Sequence, residues 1–248
     1  MLSRIVTRRR IRRFHRYLSI VVGLQLLLWS ASGAFFAWSN IHKVRGEHLM
    51  AEPPALSLAI AEIISPGELE LPPAIRDDVK QVILHPRIGT WAYEVSTSRD
   101  ESLMFDATTG ERLAPILKSQ AADVAIADFK GTAQAEQVEY YEQVDSDSEY
   151  RGRDLPAYRV HLDDPADTKI WVSALRGTVV TRRNNRWRWF DWFWMLHTMD
   201  YQTRDNFNTW WLKAVSLLGV TTAVSGFVLW GSTTTLFRRK KVSGNDKL

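Results

Sequence analysis

Residues 18–38 read LSIVVGLQLLLWSASGAFFAW, twenty-one consecutive positions without a charged side chain. A helix needs about 20 mainly apolar residues to cross the hydrocarbon core of a bilayer. A second stretch, Trp211–Trp230, holds twenty residues with one charge, Lys213, at its outer edge. The sequence therefore predicts transmembrane helices at 18–38 and 211–230. A cleaved signal peptide is the alternative for the first stretch, but its apolar part is longer than usual and no A-x-A-like site follows.

Basic residues are concentrated on the terminal side of both stretches. Residues 1–17 hold seven arginines, and residues 231–248 hold five basic side chains against one acidic side chain. Cytoplasmic flanks carry such an excess. We therefore predict two cytoplasmic basic tails, 1–17 and 231–248, and roughly 170 residues on the far side of the membrane.

Composition excludes several classes of function. The formal net charge of +4 comes from the flanks, because residues 39–210 hold eight more acidic than basic side chains. The basic balance is therefore no evidence of nucleic-acid binding, and we expect no nucleic-acid partner. The absence of cysteine excludes disulfides, thiolate metal sites, iron–sulfur clusters and c-type haem attachment. No nucleophile elbow, H-E-x-x-H, phosphate loop or dinucleotide fingerprint is present, so no catalytic motif supports an enzyme.

The region between the spans shows one pattern twice. A short helix is predicted at Ala55–Ile64 and again at Gln120–Phe129, each followed by strand-like runs. The predicted strands are Val79–Leu84, Trp91–Thr97, Ser102–Asp106 and Leu113–Ile116, then Gln137–Val144, Ala157–Leu162, Lys169–Ala174 and Thr178–Thr181. We therefore predict an α+β fold in which two helix-plus-antiparallel-sheet units, 39–116 and 117–185, stand on a two-helix transmembrane anchor.

Identical residues recur at nearly constant offsets in the two halves. Three pairs are 65 residues apart and two are 67 apart: Ala92 and Ala157, Tyr93 and Tyr158, Val95 and Val160, Ala107 and Ala174, Gly110 and Gly177. The difference fits a longer turn in the second half. A glycine at the last turn of each half suits a backbone with positive φ. Chance similarity of two hairpins is the alternative.

Residues 186–201, RWRWFDWFWMLHTMDY, contain four of the eleven tryptophans. We interpret 186–210 as an aromatic interfacial segment, because tryptophan and tyrosine prefer the level of the lipid headgroups. In a helix, spacings of three and four residues place these side chains on one face: Phe190, Phe193, Trp194, His197 and Tyr201. Interfacial preference accounts for the aromatic rings, but it does not account for an imidazole among them.

Three of the six histidines are predicted to lie near a membrane face: His15 at the cytoplasmic side, and His42 and His197 at the outer side. A neutral imidazole is a good axial ligand for b-type haem, which needs no cysteine. We expect that His42 and His197 can share one haem, with Trp194 and Phe193 as its walls. His15 is about 40 Å from His42 along a helix, so it would serve a separate site. Interfacial hydrogen bonding is the alternative for each histidine.

Two further patterns have less specific implications. A Ser-Gly pair occurs in each span, at Ser32-Gly33 and at Ser225-Gly226. Small residues allow close approach of helices in lipid, and since the spans are antiparallel, we expect each pair to serve a different neighbour. Charged residues beside aromatic ones predict an ion-paired interaction patch, for which a purely structural salt-bridge set is the alternative. The patch comprises Arg151, Arg153, Asp154, Arg204 and Asp205.

Four stretches resemble PepSY-associated transmembrane proteins. The opening RRFHRYLSIVVGLQLLLWSASG resembles their first helix, although Ser19 stands where a glycine is usual. SLMFDATTGERL resembles the PepSY signature, a strand followed by D-x-x-T-G-E and another strand, and PAYRVHLDDPADTKIWVSALRGTVV resembles a more divergent copy. WMLHTMDYQTRDNFN, followed by a span with SGFVLW, resembles their closing segment.

The resemblance implies PepSY units of one helix on a small antiparallel sheet, in an inner-membrane protein facing the periplasm of a Gram-negative bacterium. Larger relatives with four spans include haem-containing reductases of ferric siderophores, and other PepSY domains accompany secreted peptidases. It implies an accessory component of periplasmic iron or siderophore reduction or electron transfer, at most one part of a membrane reductase. A non-enzymatic, peptidase-regulating module that binds a periplasmic protein or peptide is the alternative.

By matching motif positions, the resemblance carries over His15 and His197 as functional histidines, whereas His42 has no clear match. The chain has two predicted spans where the reductases have four, so half of an intramembrane haem scaffold is missing. A homodimer or another membrane protein would restore that scaffold.

The charge bias predicts that both termini are cytoplasmic. A single cysteine introduced at Ser148 should react with a membrane-impermeant thiol reagent in intact spheroplasts, and a single cysteine at Ser243 should not. The native chain has no cysteine to interfere with this measurement. The reverse labelling pattern would contradict the predicted topology.

Overall fold

The computed structural model describes residues 2–52, 62–99 and 101–233. The chain divides into a helical unit, formed by residues before 39 and after 191, and a sheet unit, residues 39–191. The helices of the described residues are α1 (Leu2–Trp38), α2 (Ile41–Val44), α3 (Pro73–Arg76), α4 (Lys118–Asp128), α5 (Asn185–Thr198) and α6 (Trp210–Thr233). The strands are β1 (Val79–Arg87), β2 (Thr90–Thr97), β3 (Ser102–Asp106), β4 (Arg112–Leu113), β5 (Ala135–Tyr141), β6 (Ala157–Leu162), β7 (Lys169–Ser173) and β8 (Val179–Arg183).

The helical unit contains both predicted spans. Segments Arg12–Trp38 of α1 and Trp210–Gly231 of α6 are each long and apolar enough to cross a membrane. Most of their large apolar side chains are exposed within the chain, as expected of side chains that face lipid. The backbone of the predicted N-terminal basic tail is helical from Leu2 onward, because arginine is a good helix former and no proline interrupts it. Beyond residue 233, the predicted C-terminal tail lies outside the described residues.

The sheet unit contains two four-stranded antiparallel meanders, as predicted. The first has the order β1-β2-β3-β4 and the second has the order β5-β6-β7-β8. The first strand of each meander carries a register irregularity near its start, between Val79 and Gln81 and between Ala135 and Gln137. Two of the predicted strands, Ser102–Asp106 and Ala157–Leu162, have the predicted bounds.

The offset residues occupy equivalent places in the two meanders. Val95 pairs with Leu103, and Val160 pairs with Ile170, so the offsets of 65 and 67 residues reproduce the pairing of neighbouring strands. Three pairs are completely buried: Ala92 and Ala157, Val95 and Val160, Ala107 and Ala174. Small or β-branched side chains therefore occupy equivalent buried positions in the two meanders.

In each meander, the backbone of one isoleucine makes two hydrogen bonds to the sheet. The Tyr93 hydroxyl donates to the Ile64 carbonyl at 2.8 Å, and the Ile64 amide donates to the Ala107 carbonyl at 3.0 Å. In the second meander the Tyr158 hydroxyl donates to the Ile116 carbonyl at 3.0 Å, and the Ile116 amide donates to the Ala174 carbonyl at 2.8 Å. The predicted strand Leu113–Ile116 is therefore wrong beyond Leu113, where β4 ends, because the Ile116 backbone bonds to the second meander.

The helices that accompany the two sheets differ. In the second repeat, α4 follows Ile116 and buries Ala121 and Ala125 against the sheet. The segment after Ile64 contains a short 3₁₀ helix, Pro66–Glu68, and the four-residue α3, because Pro66, Pro72 and Pro73 interrupt a longer helix. The helix predicted at 55–64 falls largely outside the described residues, and its last three residues, 62–64, form no α-helix.

The predicted glycines form the last turn of each meander. Gly110 has φ +76° and donates its amide to the Asp106 carbonyl, and Gly177 has φ +64° and donates to the Ser173 carbonyl, both at 2.9 Å. A Cβ at Gly110 would lie 2.9 Å from Ile64 Cδ1, and a Cβ at Gly177 would lie 2.9 Å from Ile88 Cγ1. Both turns therefore require glycine for conformation and for space.

The substitution Gly110→Val should lower the free energy of unfolding by about 1–3 kcal/mol, because valine is strained at positive φ and would displace Ile64. Urea denaturation of the full chain, followed by circular dichroism, measures this change. Gly67→Val is the matched control, because a Cβ there meets only Ser65 Oγ at 3.8 Å. Equal destabilisation by the two substitutions would contradict the role of Gly110.

Candidate functional site

His197 lies near the end of α5 and packs on α1 within the helical unit. Its Nδ1 atom is 2.8 Å from Ser32 Oγ. Its ring stacks on Trp29, with centroids 5.2 Å apart, and meets the edge of Phe36 at 5.5 Å. Trp29 Nε1 donates to the His197 carbonyl at 2.6 Å. The imidazole is thus held by one serine and two aromatic rings of a single helix.

Aromatic contacts extend this packing along α5. Phe193 packs on Phe35 with a centroid distance of 4.4 Å, and Trp194 meets the edge of Phe36 at 5.8 Å. These residues follow the predicted helical face, since positions 193, 194 and 197 share one side of a helix. The helix α5 therefore presents His197 and its two predicted aromatic walls to α1.

Tyr201 does not share this face, which corrects the prediction. The helix α5 ends at Thr198, and Met199 has φ +54°, so the chain turns away before residue 201. Tyr201 is exposed.

A buried carboxylate fixes the turn after His197. Asp200 Oδ1 accepts the amides of Gln202 and Thr203 at 3.2 Å each, and Oδ2 accepts the Asn206 amide at 2.9 Å and the Thr203 hydroxyl. Burial raises the pKa of Asp200, but the bonds from Thr203, Asn206 and Gln202 outweigh burial and lower this pKa to about 2. Asp200 therefore remains an anion that holds the connection between α5 and α6.

His15 occupies a matching environment on α1. Its Nδ1 atom is 2.6 Å from Ser225 Oγ of α6, and its Nε2 atom is 3.3 Å from Ser19 Oγ. A Cβ at Gly226 would lie 3.3 Å from His15 Cε1, so the glycine leaves room for the ring. Beside the imidazole is an apolar groove of about 520 Å³, which Phe227 and Trp230 help to line.

The two Ser-Gly pairs thus have different neighbours, and both neighbours are histidines. Ser32-Gly33 contacts His197, and Ser225-Gly226 contacts His15. Ser32 is seventeen residues from His15 along α1, which is about 26 Å of helix. Sequence reasoning missed these partnerships, although the recurrence of Ser-Gly was a visible signal. The helical unit therefore contains two His–Ser–Gly sites at different depths.

His42 belongs to the sheet unit and is exposed, and its Nδ1 atom pairs with Glu47. Its role as a second haem ligand stays a prediction. His85 and His161 lie on strands and pair with carboxylates, His85 with Glu94 at 3.4 Å and His161 with Asp167 at 2.6 Å.

Members of the predicted interaction patch have partners outside it. Arg151 pairs with Asp191 at 2.5 Å, and Asp154 pairs with Arg176 at 3.0 Å. Arg153 lies close enough to Arg183 to act on its charge: burial and the positive charge of Arg153 together lower the pKa of Arg183, to a net value of about 10. Arg204 and Asp205 belong to the helical unit, and one joint patch stays a prediction.

A buried ion pair joins the two meanders of the sheet unit. Glu94 on β2 accepts hydrogen bonds from Nε and Nη2 of Arg176, both at 2.8 Å. The Glu94 side chain is only 4% exposed. The nearby His85 lowers the pKa of Glu94, burial raises it, and Arg176 lowers it, with a net value of about 2. A cleft of about 550 Å³ adjoins this pair and has a polar lining that includes Lys80 and Asp154.

A family model described as "PepSY-associated TM region" matches residues 12–247. No curated protein and no solved structure matches the chain. The matched range includes both candidate spans, both meanders and both His–Ser–Gly sites.

The ion pair predicts a loss of stability in acid. Because the folded pKa of Glu94 is about 2 and its ordinary value is 4.5, its stabilisation is present above pH 4.5 and is lost as pH falls toward 2. Between pH 5 and pH 3, the wild type should lose about 2 kcal/mol more unfolding free energy than Glu94→Gln. Denaturation across this range measures the difference, with exposed Glu70→Gln as control. Parallel pH profiles of the wild type and Glu94→Gln would exclude this role.

Proposed function

The chain belongs to the family of PepSY-associated transmembrane regions, and we propose that it is an accessory component of periplasmic iron or siderophore reduction or electron transfer. In this proposal it lies in the inner membrane of a Gram-negative bacterium, with both termini cytoplasmic and the sheet unit in the periplasm. The family match and two candidate spans support the membrane location. The basic flanks support the orientation.

The environment of His197 is the observation that carries the proposal. A histidine that ligates a metal commonly holds its other ring nitrogen on a hydrogen-bond partner. His197 has Nδ1 on Ser32, and Nε2 makes no hydrogen bond within the part of the chain that the structure describes. The donor chemistry of His197 therefore fits b-type haem, and the second histidine of the helical unit, His15, also has Nδ1 on a serine.

Bound haem would supply one-electron chemistry. The residues of this chain would bind the group and control its surroundings. His197 would be a ligand of the haem, and Phe193 and Trp194 would keep water away from it, which tunes a reduction potential. His15 would hold a second group beside its apolar groove on the cytoplasmic side.

Each site of the helical unit provides one histidine from the described part of this chain, so a second histidine ligand would come from elsewhere. We propose that His42 or a histidine of a second copy completes the site of His197. A homodimer, or another membrane protein, would also supply the two further helices that the four-span relatives contain. The chain would then act as part of a reductase and would not be an enzyme alone.

A specific feature of the sheet unit favours a second function, the binding of a periplasmic protein or peptide without catalysis. Among the described strands, β5 pairs only with β6 and so has an open edge. An extended segment can add to such an edge. Exposed carboxylates of Glu142, Asp145 and Asp147 follow β5, and Asp145 and Asp147 help to line a cleft of about 500 Å³. A basic peptide, such as a segment of a secreted peptidase, would complement this charge.

Haem binding distinguishes the two functions. We expect the full chain, produced with ample haem and purified in detergent, to show the reduced-minus-oxidised absorption spectrum of b-type haem. His197→Ala should remove part of this absorption, because it removes a ligand of the haem, and exposed His48→Ala should leave it unchanged. An unchanged spectrum in His197→Ala would exclude His197 as a ligand. Absence of haem from the wild type would exclude the haem-based function and favour the binding module.

A further inference from the structure

The serine hydroxyls that contact the two histidines already donate their hydrogen atoms elsewhere. Ser32 Oγ donates to the carbonyls of Leu28 at 2.9 Å and Trp29 at 3.0 Å in its own helix. Ser225 Oγ donates to the Thr222 carbonyl at 2.8 Å. A hydroxyl has one hydrogen and two lone pairs, so each Oγ is left with accepting capacity toward the imidazole.

We infer that Ser32 and Ser225 are positioning residues that fix a hydrogen atom on Nδ1 of His197 and of His15. At 2.8 Å and 2.6 Å, each Nδ1–H donates to the serine oxygen, so that the nitrogen available to donate an electron pair is Nε2. The serines thus determine which nitrogen of each ring can donate an electron pair to a ligand. The use of this lone pair for haem rests on the proposed function, whereas the protonation state does not.

The surroundings of His197 disfavour the opposite form. If Nε2 carried the proton, it would be a donor without an acceptor in the described part of the chain, beside the rings of Trp29 and Phe36. An N–H without an acceptor beside apolar rings is unfavourable, and such unpaired donors are rare in proteins. The Nδ1–H form leaves no N–H of the ring unpaired.

The glycine after the serine matters at one of the two sites. A Cβ at position 226 would approach His15 Cε1 to 3.3 Å, which is tighter than an ordinary contact, so Gly226 leaves room for the ring. A Cβ at position 33 would lie 4.0 Å from His197 Cε1 and would make an ordinary contact. The serine therefore provides the acceptor at both sites, and the glycine provides space at His15.

The two sites differ at Nε2. Ser19 Oγ is 3.3 Å from His15 Nε2 and can donate to its lone pair, whereas His197 Nε2 has no such partner within residues 2–52, 62–99 and 101–233. A ligand must displace this bond at His15 and displaces none at His197. We therefore expect His197 to be the stronger ligand of the two.

Nitrogen-15 NMR of the full chain, labelled at histidine and reconstituted in lipid bilayers, tests the inference directly. The signals of His197 are assigned by their loss in His197→Gln. In the wild type we expect the proton on Nδ1, and we expect the same in Ser32→Thr, which keeps a hydroxyl. Ser32→Ala should abolish this fixed protonation state. Ser30→Ala, on an exposed position of the same helix, is the control and should behave as the wild type does.

A wild-type His197 with its proton on Nε2, or an unaltered protonation state in Ser32→Ala, would overturn the inference. The wild-type spectrum alone decides the question if Ser32→Ala does not fold. Where haem is bound, Ser32→Ala should also lower haem affinity by about 10–100-fold, and Ser32→Thr should restore it. Absence of haem from the wild type contradicts the proposed function, and the NMR result still decides the role of Ser32.

Discussion

A polar side chain within the hydrocarbon of a bilayer has no water to bond, so its partner must come from the protein. In the helical unit, two serines of the candidate spans, Ser32 and Ser225, bond to histidines as well as to carbonyls of their own helices. Ser225 joins α6 to His15 of α1, and Ser32 joins α1 to His197 of α5. These directional bonds fix how the three helices are aligned along one another. Aromatic and aliphatic contacts between the helices are less directional and constrain this alignment less.

The features that sequence predicted well are local ones. The spans follow from the length of the apolar runs, and strands such as Ser102–Asp106 are bounded by residues with strong turn preferences. The offset of 65 residues between Ala92 and Ala157 identified the repeat because both positions need a small buried side chain. Residue identity and short-range spacing carry this information.

The features that sequence missed depend on distant partners. Ile116 seemed part of the strand before it, yet its backbone bonds with Ala174 and Tyr158 of the second meander. His197 and Ser32 are 165 residues apart, and no local pattern predicts that they meet. The two repeats also differ at one equivalent position, because the offset of 65 residues makes Arg159 the counterpart of Glu94. Glu94 pairs with Arg176, and Arg159 pairs with Glu139, so the same strand position carries opposite charges.

The contact between Ile88 and the turn at Gly177 limits how freely the repeats can be exchanged. Ile88 has a positive φ, and its side chain occupies the space that a Cβ on residue 177 would need. The first meander thus contributes a protrusion, and the second contributes the matching recess. A chimaera that takes one repeat from a relative must therefore have residues at 88 and 177 that fit together, although residue 88 comes from the first repeat and residue 177 from the second. The two repeats are a duplicated architecture, but they are not interchangeable parts.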